Sequence, residues 1–377
     1  MENPGEELRL RSETPRGNYT YSFRTADGVS KDFRDAEIAL ADHVDPGPGD
    51  RVLVVQSGFG FLPVALGKDR EGETVGAETS DRAFQLTEMN IEENGVEHAR
   101  ARKLPFYSEL GKDFDVILYA PRGYEPVDVV KDRLSVLAGK LVRDGELFVA
   151  GRKTDGAKRY GDHLDSFGGE SGKMVQEGRQ RIYRYVRTAE PEGERFDVET
   201  GFSAAVRGAE LEFGARKGLF SPGELDDGSR LLIENLDFSG DDRVLDLACG
   251  YGAVAAFVRE LFGSEVFLSD DDRTATHYAE RNMEMNGFDR FEVECADCLD
   301  GFRDRRFDAV VTNPPTHAGK QVTSEMFHGA HSVLRDGGEL YVVYNANMRY
   351  GERLGEFFSS VEVLAEDDGF RVAKAVK

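Results

Sequence analysis

The chain has 377 residues, more than a single core usually organises, and its 40% hydrophobic and 32% charged residues suit two folded domains. No apolar run approaches the ~20 residues of a membrane span, the start (Met1–Tyr21) carries no apolar leader, and three cysteines (Cys249, Cys295, Cys298) are too few for a disulfide framework. Membrane, secreted and fibrous classes therefore drop out in favour of a reduced cytoplasm, and 71 Asp plus Glu against 48 Lys plus Arg, a formal −23 spread along the chain, point to a salt-rich, halophilic one.

In chain order, the first informative segment is Arg51-Val-Leu-Val-Val-Gln-Ser-Gly-Phe-Gly60, because it returns as Arg243-Val-Leu-Asp-Leu-Ala-Cys-Gly-Tyr-Gly252, an offset of 243 − 51 = 192. Asn94-Gly95 returns as Asn286-Gly287 at the same offset. Phe114-Asp-Val-Ile-Leu-Tyr-Ala-Pro-Arg122 returns as Phe307-Asp-Ala-Val-Val-Thr-Asn-Pro-Pro315, and Gly145-Glu-Leu-Phe148 as Gly338-Glu-Leu-Tyr341, both offset by 193. Four anchors in one order, at a period far beyond any solenoid repeat, indicate a duplicated domain. The charged stretch Thr188–Arg195 is the expected junction, dividing the chain into residues 1–190 and 191–377, with Phe196–Phe220 a short β preamble to the second copy.

The second copy alternates strand and helix. Strands are expected at Val244–Leu247, Glu265–Leu268, Phe291–Cys295, Phe307–Val311 and Glu339–Tyr344. Helices are expected at Ala253–Leu261 and 273–285, the latter stopped by Asn286-Gly287. The pattern predicts an α/β fold: two tandem Rossmann-like domains, each a doubly wound sheet with helices on both faces.

Asp246-Leu-Ala-Cys-Gly-Tyr-Gly252 reads as strand, glycine turn, helix. A dinucleotide site would want a third glycine, but Ala255 stands there, and Asp246 inside the strand would repel a phosphate while suiting an ammonium. Asp270, 20 residues past Gly250, can accept from ribose hydroxyls, and Asp297 from an adenine amine. Ammonium, ribose and adenine without phosphate specify S-adenosylmethionine, with Ala248, Gly250 and Gly252 as the backbone approach. Asn313-Pro314-Pro315 follows a later strand, where ligands bind in open α/β sheets. The prolines stiffen the strand end, so that Asn313 Oδ1 and the Pro314 carbonyl can hold both N–H groups of a planar amine and aim its lone pair at a methyl sulfonium. Asn313 thus borders cofactor and acceptor alike.

These motifs resemble class I S-adenosylmethionine-dependent methyltransferases that modify exocyclic or amide nitrogens. With the duplication, Phe220-Ser-Pro-Gly-Glu-Leu-Asp-Asp-Gly-Ser-Arg-Leu-Leu232, His317 and the ending Gly369-Phe-Arg-Val372, the chain resembles the family that methylates guanine N2 in small-subunit ribosomal RNA. The resemblance implies an RNA partner, either the rRNA or the assembling subunit, and a first domain that has lost catalysis and serves folding and RNA binding. It places cofactor contacts at Asp246, Gly250, Gly252, Asp270 and Asp297, and amine contacts at Asn313 and Pro314. Thr316 stands where relatives carry an aromatic, leaving Phe220 or Tyr251 to wall the target base and Thr316 and His317 as further substrate contacts. A tRNA guanine, a release-factor glutamine amide, or a non-catalytic role in ribosome assembly stay open as alternatives.

The first copy has Val54 in place of Asp246 and Tyr119-Ala-Pro-Arg122 in place of Thr312-Asn-Pro-Pro315, though Glu78 keeps the place of Asp270, so neither cofactor binding nor catalysis is expected of it. Residues 151–187 hold nine Lys or Arg against five Asp or Glu, with Tyr160, Tyr183 and Tyr185 interspersed, a composition suited to phosphate contact and stacking. Cys295-x-x-Cys298 lacks a second pair, so no metal is expected, and His328 and His331 read as packed or solvated. The duplication supplies an intramolecular partner, and a monomer is expected.

Overall fold

A computed structural model describes residues 7–14, 17–315 and 319–377. The chain divides into two units at Val198–Glu199. Residues 191–198, placed with the second domain on sequence grounds, sit with the first, where Arg195 Nε donates to Asp132 Oδ1 at 2.7 Å.

The first unit runs β1 (Glu7–Thr14), β2 (Gly17–Arg24), α1 (Asp35–His43), β3 (Val52–Val55), α2 (Phe61–Gly67), β4 (Thr74–Glu78), α3 (Asp81–Glu93), β5 (Ala99–Lys103), β6 (Phe114–Tyr119), α4 (Val127–Ala138), β7 (Leu141–Arg152), α5 (Ala157–Leu164), β8 (Glu170–Glu177) and β9 (Gln180–Val186). The second runs β10 (Glu199–Val206), β11 (Ala209–Arg216), α6 (Asp227–Glu234), β12 (Arg243–Leu247), α7 (Ala253–Phe262), β13 (Glu265–Asp270), α8 (Arg273–Met285), β14 (Phe291–Cys295), β15 (Phe307–Thr312), α9 (Gly319–Val333), β16 (Leu334–Asn345), α10 (Tyr350–Leu354), β17 (Ser360–Asp367) and β18 (Phe370–Val376). Each unit carries a hairpin and a seven-stranded sheet, ordered β5-β4-β3-β6-β7-β9-β8 in the first and β14-β13-β12-β15-β16-β18-β17 in the second. The first five strands of each are parallel, and the last two antiparallel. The two Rossmann-like domains read from the sequence are therefore present. The one-residue slip between copies falls between β14 and β15.

The apolar runs have a direct cause. Leu53 and Val55 pack with Ile117, Tyr119, Leu147 and Val149 on one face of the sheet. Val52 and Val54 pack with Val116, Leu118, Phe148 and Ala150 on the other. Alternate residues meet helices on opposite faces, so no position in such a strand can be polar without cost. Each fully buried aliphatic chain contributes roughly 1.5–3 kcal/mol.

The preamble proves to be the β10–β11 hairpin, and the first unit has its counterpart in β1–β2, which the sequence did not announce. Both hairpins are held by asparagines of the following long helix. Asn282 accepts from Gly214 N at 2.8 Å and donates to the carbonyls of Gly214 and Tyr251, and Asn286 grips Glu212 in the same way. Asn90 and Asn94 repeat the device on Arg24 and Ser22. Asn286 was legible only as a helix stop and Asn94 only as its counterpart in the repeat; both do end their helices, followed by Gly95 and Gly287 at positive φ.

Candidate functional site

In the second unit β12 lies between β13 and β15, so successive connections leave it in opposite directions and open a crevice beyond the carboxyl ends of the strands. Thr312 Oγ1 donates to Leu247 O at 2.6 Å and ties two of those ends together. Ala248, at φ 62°, turns the chain out of β12, and Gly252, at φ 86°, starts α7. A methyl group on Gly252 would stand 3.1 Å from the Ala279 Cα, so the residue must be glycine for both conformation and space. One on Gly250 would meet no heavy atom of the described residues within 4 Å, so this turn faces open space.

Two carboxylates define the electrostatics. Asp246 is 2% exposed and accepts from Ala255 N at 3.0 Å. Asp270 accepts from Gly250 N at 2.8 Å and Asp272 N at 2.9 Å. Neither has a Lys or Arg partner among the described residues. Burial pushes the Asp246 carboxyl up to about 7, with the neighbouring charge of Asp270 adding to it. Burial likewise lifts Asp270 to about 6 against its backbone donors. A buried acid and a partly buried one so perturbed favour a cationic ligand, whose charge would let both ionise. Asp297, after β14, is buried as well.

Asn313 follows β15 directly, half-buried, with Pro314 buried and Pro315 exposed. Its Nδ2 donates to Asp226 Oδ2 and to Ser229 Oγ, both at 3.0 Å, and Asp226 also caps α6 by accepting from Ser229 N at 2.9 Å. Sequence reasoning placed Asp226 and Ser229 only inside a motif; the Asp-x-x-Ser pattern ahead of Leu231-Leu232-Ile233 is the cap signal that marks them. Phe220 is 61% exposed on the loop leading to that cap. Tyr251 is corrected: it is 4% exposed, packed on Phe202 and Phe213 with its hydroxyl on Glu224 O, and is core, not a wall for a base. Thr316 and His317 lie outside the described residues. His328 and His331 pack against Phe357 and Phe358, the first tilted and the second edge-on.

The first unit keeps the frame and replaces the chemistry. Glu78 accepts from Gly58 N as Asp270 does from Gly250 N, but Val54 is apolar core. Arg34 Nη2 donates to the carbonyls of Ala120 and Pro121 at 2.9 Å each. A methyl group on Gly58 would lie 3.7 Å from Arg122 Nη2, so guanidinium occupies the space that is open at Gly250. Burial opposes the charge on Arg122, yet Tyr124, Glu78, Glu37 and Glu125 together raise its pKa. In the basic stretch, Tyr160 and Tyr185 are buried in the core and Tyr183 packs against it, which corrects their reading as stacking platforms. Arg152, Lys158, Arg184 and Arg187 pair with carboxylates, whereas Lys153, Arg159, Lys173, Arg179 and Arg181 have no carboxylate partner among the described residues.

Residues 21–184 and 210–374 each match the methyltransferase small domain. Ribosomal RNA small subunit methyltransferase C of Pseudomonas paraeruginosa is 32% identical over 265 residues, 69% of this chain and 78% of that one. Ribosomal RNA large subunit methyltransferase G of Aeromonas hydrophila is 25% identical over 86% of this chain and 87% of its own. Among solved structures, the T. thermophilus 16S rRNA N2 G1207 methyltransferase in complex with AdoMet and guanosine superposes with a TM-score of 0.83 at 26% identity, covering 98% of each chain.

Proposed function

The chain belongs to the methyltransferase small domain family, and on that premise we propose that its second unit, residues 191–377 in the sequence division, methylates the exocyclic N2 amine of a guanine in small-subunit ribosomal RNA, while the first, residues 1–190, is a degenerate copy. The observation that carries this is the placement, at one sheet edge, of two acids without a cationic partner, Asp246 buried and Asp270 partly so, beside an asparagine-proline-proline turn. Those groups fit S-adenosylmethionine, which when bound supplies an electrophilic methyl on sulfur. Asp246 would take the ammonium, Asp270 the ribose hydroxyls and Asp297 the adenine amine, with Ala248, Gly250 and Gly252 giving backbone close approach. Asn313 Oδ1 and the Pro314 carbonyl accept the two N–H groups of the target amine and turn its lone pair toward the methyl, and Pro315 keeps the turn stiff. Positioning of this kind contributes several kcal/mol and asks for no base of matched pKa; the methylated amine can release its surplus proton to water. Phe220, exposed nearby in sequence to the α6 cap, is assigned to the base, together with Thr316 and His317. RNA backbone is assigned to the five unpaired cations of 151–187, and the protein acts as a monomer in the cytoplasm, on the free rRNA or the assembling subunit.

N313A is the test. With labelled S-adenosylmethionine and unmodified small-subunit rRNA, turnover falls by at least ~10³-fold while cofactor affinity stays within about twofold. Wild-type turnover in N313A would remove the assignment, and label appearing in tRNA or protein fractions instead would transfer it to those acceptors.

A further inference from the structure

We propose that Asp226 and Ser229 are positioning residues that lock the Asn313 carboxamide with its oxygen toward the target amine. The inference rests on the methyl-transfer assignment above and deepens it.

A carboxamide can be rotated half a turn at almost no steric cost, and the two orientations present opposite hydrogen-bonding groups. Rotated, Asn313 would offer N–H to a substrate amine that has only N–H to give in return. What prevents this is on the α6 side. Asp226 Oδ2 and Ser229 Oγ both lie 3.0 Å from Nδ2. An ionised carboxylate only accepts, so a rotated carboxamide would set oxygen against oxygen there. The helix therefore selects the amide orientation before any substrate arrives.

The other copy supplies an independent observation. Asp226 corresponds to Arg34 (226 − 34 = 192), Ser229 to Glu37 (229 − 37 = 192) and Asn313 to Ala120 (313 − 120 = 193). Arg34 occupies the same N-cap position, ahead of α1, and makes no side-chain cap. All three residues have been replaced together. Where there is no carboxamide to orient, neither holder remains, although an Asp cap on α1 would still have served the helix.

The experiment measures kcat, cofactor affinity and melting temperature of the full chain for S229A, D226A and D226N, using labelled S-adenosylmethionine and unmodified small-subunit rRNA. S229A removes one holder and leaves the backbone cap, so kcat falls about tenfold with cofactor affinity and melting temperature unchanged. D226A lowers kcat about 100-fold and also lowers the melting temperature, because the cap goes as well. D226N restores the melting temperature and most of kcat together, since the one oxygen that caps Ser229 N also accepts from Asn313 Nδ2 and an Asn oxygen in its place serves both. Turnover within twofold of wild type in both S229A and D226A would overturn the proposal, as would a D226N whose melting temperature returns while kcat stays at the D226A level. N313A separates the two levels: an active N313A sinks the methyl-transfer assignment, whereas an inactive N313A beside active S229A and D226A sinks only the positioning role.

Discussion

Asp246 shows how a buried acid can be held at a cost to the fold. An unfolded aspartate loses its proton near pH ~3.9, but in the fold burial lifts Asp246 to about 7. Between those values the folded chain binds more protons than the unfolded one, so stability drains as pH rises through that window and the loss is complete above it. D246N removes this penalty. Without ligand it melts above wild type at pH 8, by ~5 °C or more, and level with it near pH 4 in thermal scans. Its affinity for S-adenosylmethionine nonetheless drops at least ~100-fold by calorimetry, and wild-type affinity itself falls between pH 8 and 6, because the carboxyl must shed its proton to meet an ammonium. A stability gain absent at pH 8 would contradict the burial argument. The first copy has taken the other route: Val54 removes one acid altogether, and Arg34 and Arg122 bring their own positive charge to the remaining carboxylates.

At the scale of elements, the parallel strands of the second copy and its helices α7 and α8 were legible to within a few residues, because a parallel strand buried on both faces must be apolar throughout and glycine-led turns leave a plain signature, whereas α6, α10 and the antiparallel β17 and β18 were not. β16 extends well beyond Glu339–Tyr344, from Leu334 to Asn345, because its added residues 335–337 are exposed, where polar residues carry no apolar signal. The hairpins were harder to see. β10 alternates exposed and sheltered residues along its whole length, but Gly201, Ser203, Ala204 and Ala205 give that alternation little apolar contrast, and the hairpin's anchor comes from Asn282, 68 residues beyond Gly214 of β11 in the chain. Periodicity carries no trace of a side chain satisfying distant backbone. Asn282 is fully buried, so N282A leaves Gly214 and Tyr251 backbone groups without partners and costs about 2–3 kcal/mol in urea unfolding. Native-state proteolysis then opens at 199–216 before the sheet. Unchanged cleavage there would deny Asn282 its role as a clamp.

For the molecule as a whole, duplication has left two copies of one frame with different residues around the glycine turn. One frame, repeated, carries open glycine turn and bare acids in the second unit and a guanidinium-filled cleft in the first. Titration of the intact chain with S-adenosylmethionine therefore gives one site; a second tight site would return the first unit to the ranks of working domains. The formal charge of −23 acts at this scale too, since no single ion pair answers for it. Raising KCl from about 0.1 to 2 M shortens the Debye length several-fold and relieves self-repulsion. The melting temperature rises accordingly, and a flat response would leave the acidity without a role in salt adaptation.

Order along the chain was enough to reveal the repeat, the sheet, the acids and the asparagine-proline-proline turn, because each is written in local runs and spacings that no folding is needed to interpret. It could not say that Tyr160, Tyr185 and Tyr251 face inward, that Asp226 and Ser229 accept from the Asn313 amide, or that Arg34 donates to the carbonyls of Ala120 and Pro121. Those outcomes depend on which surfaces meet, and a tyrosine or an arginine carries the same symbol whether its partner is water, a base or a neighbouring strand.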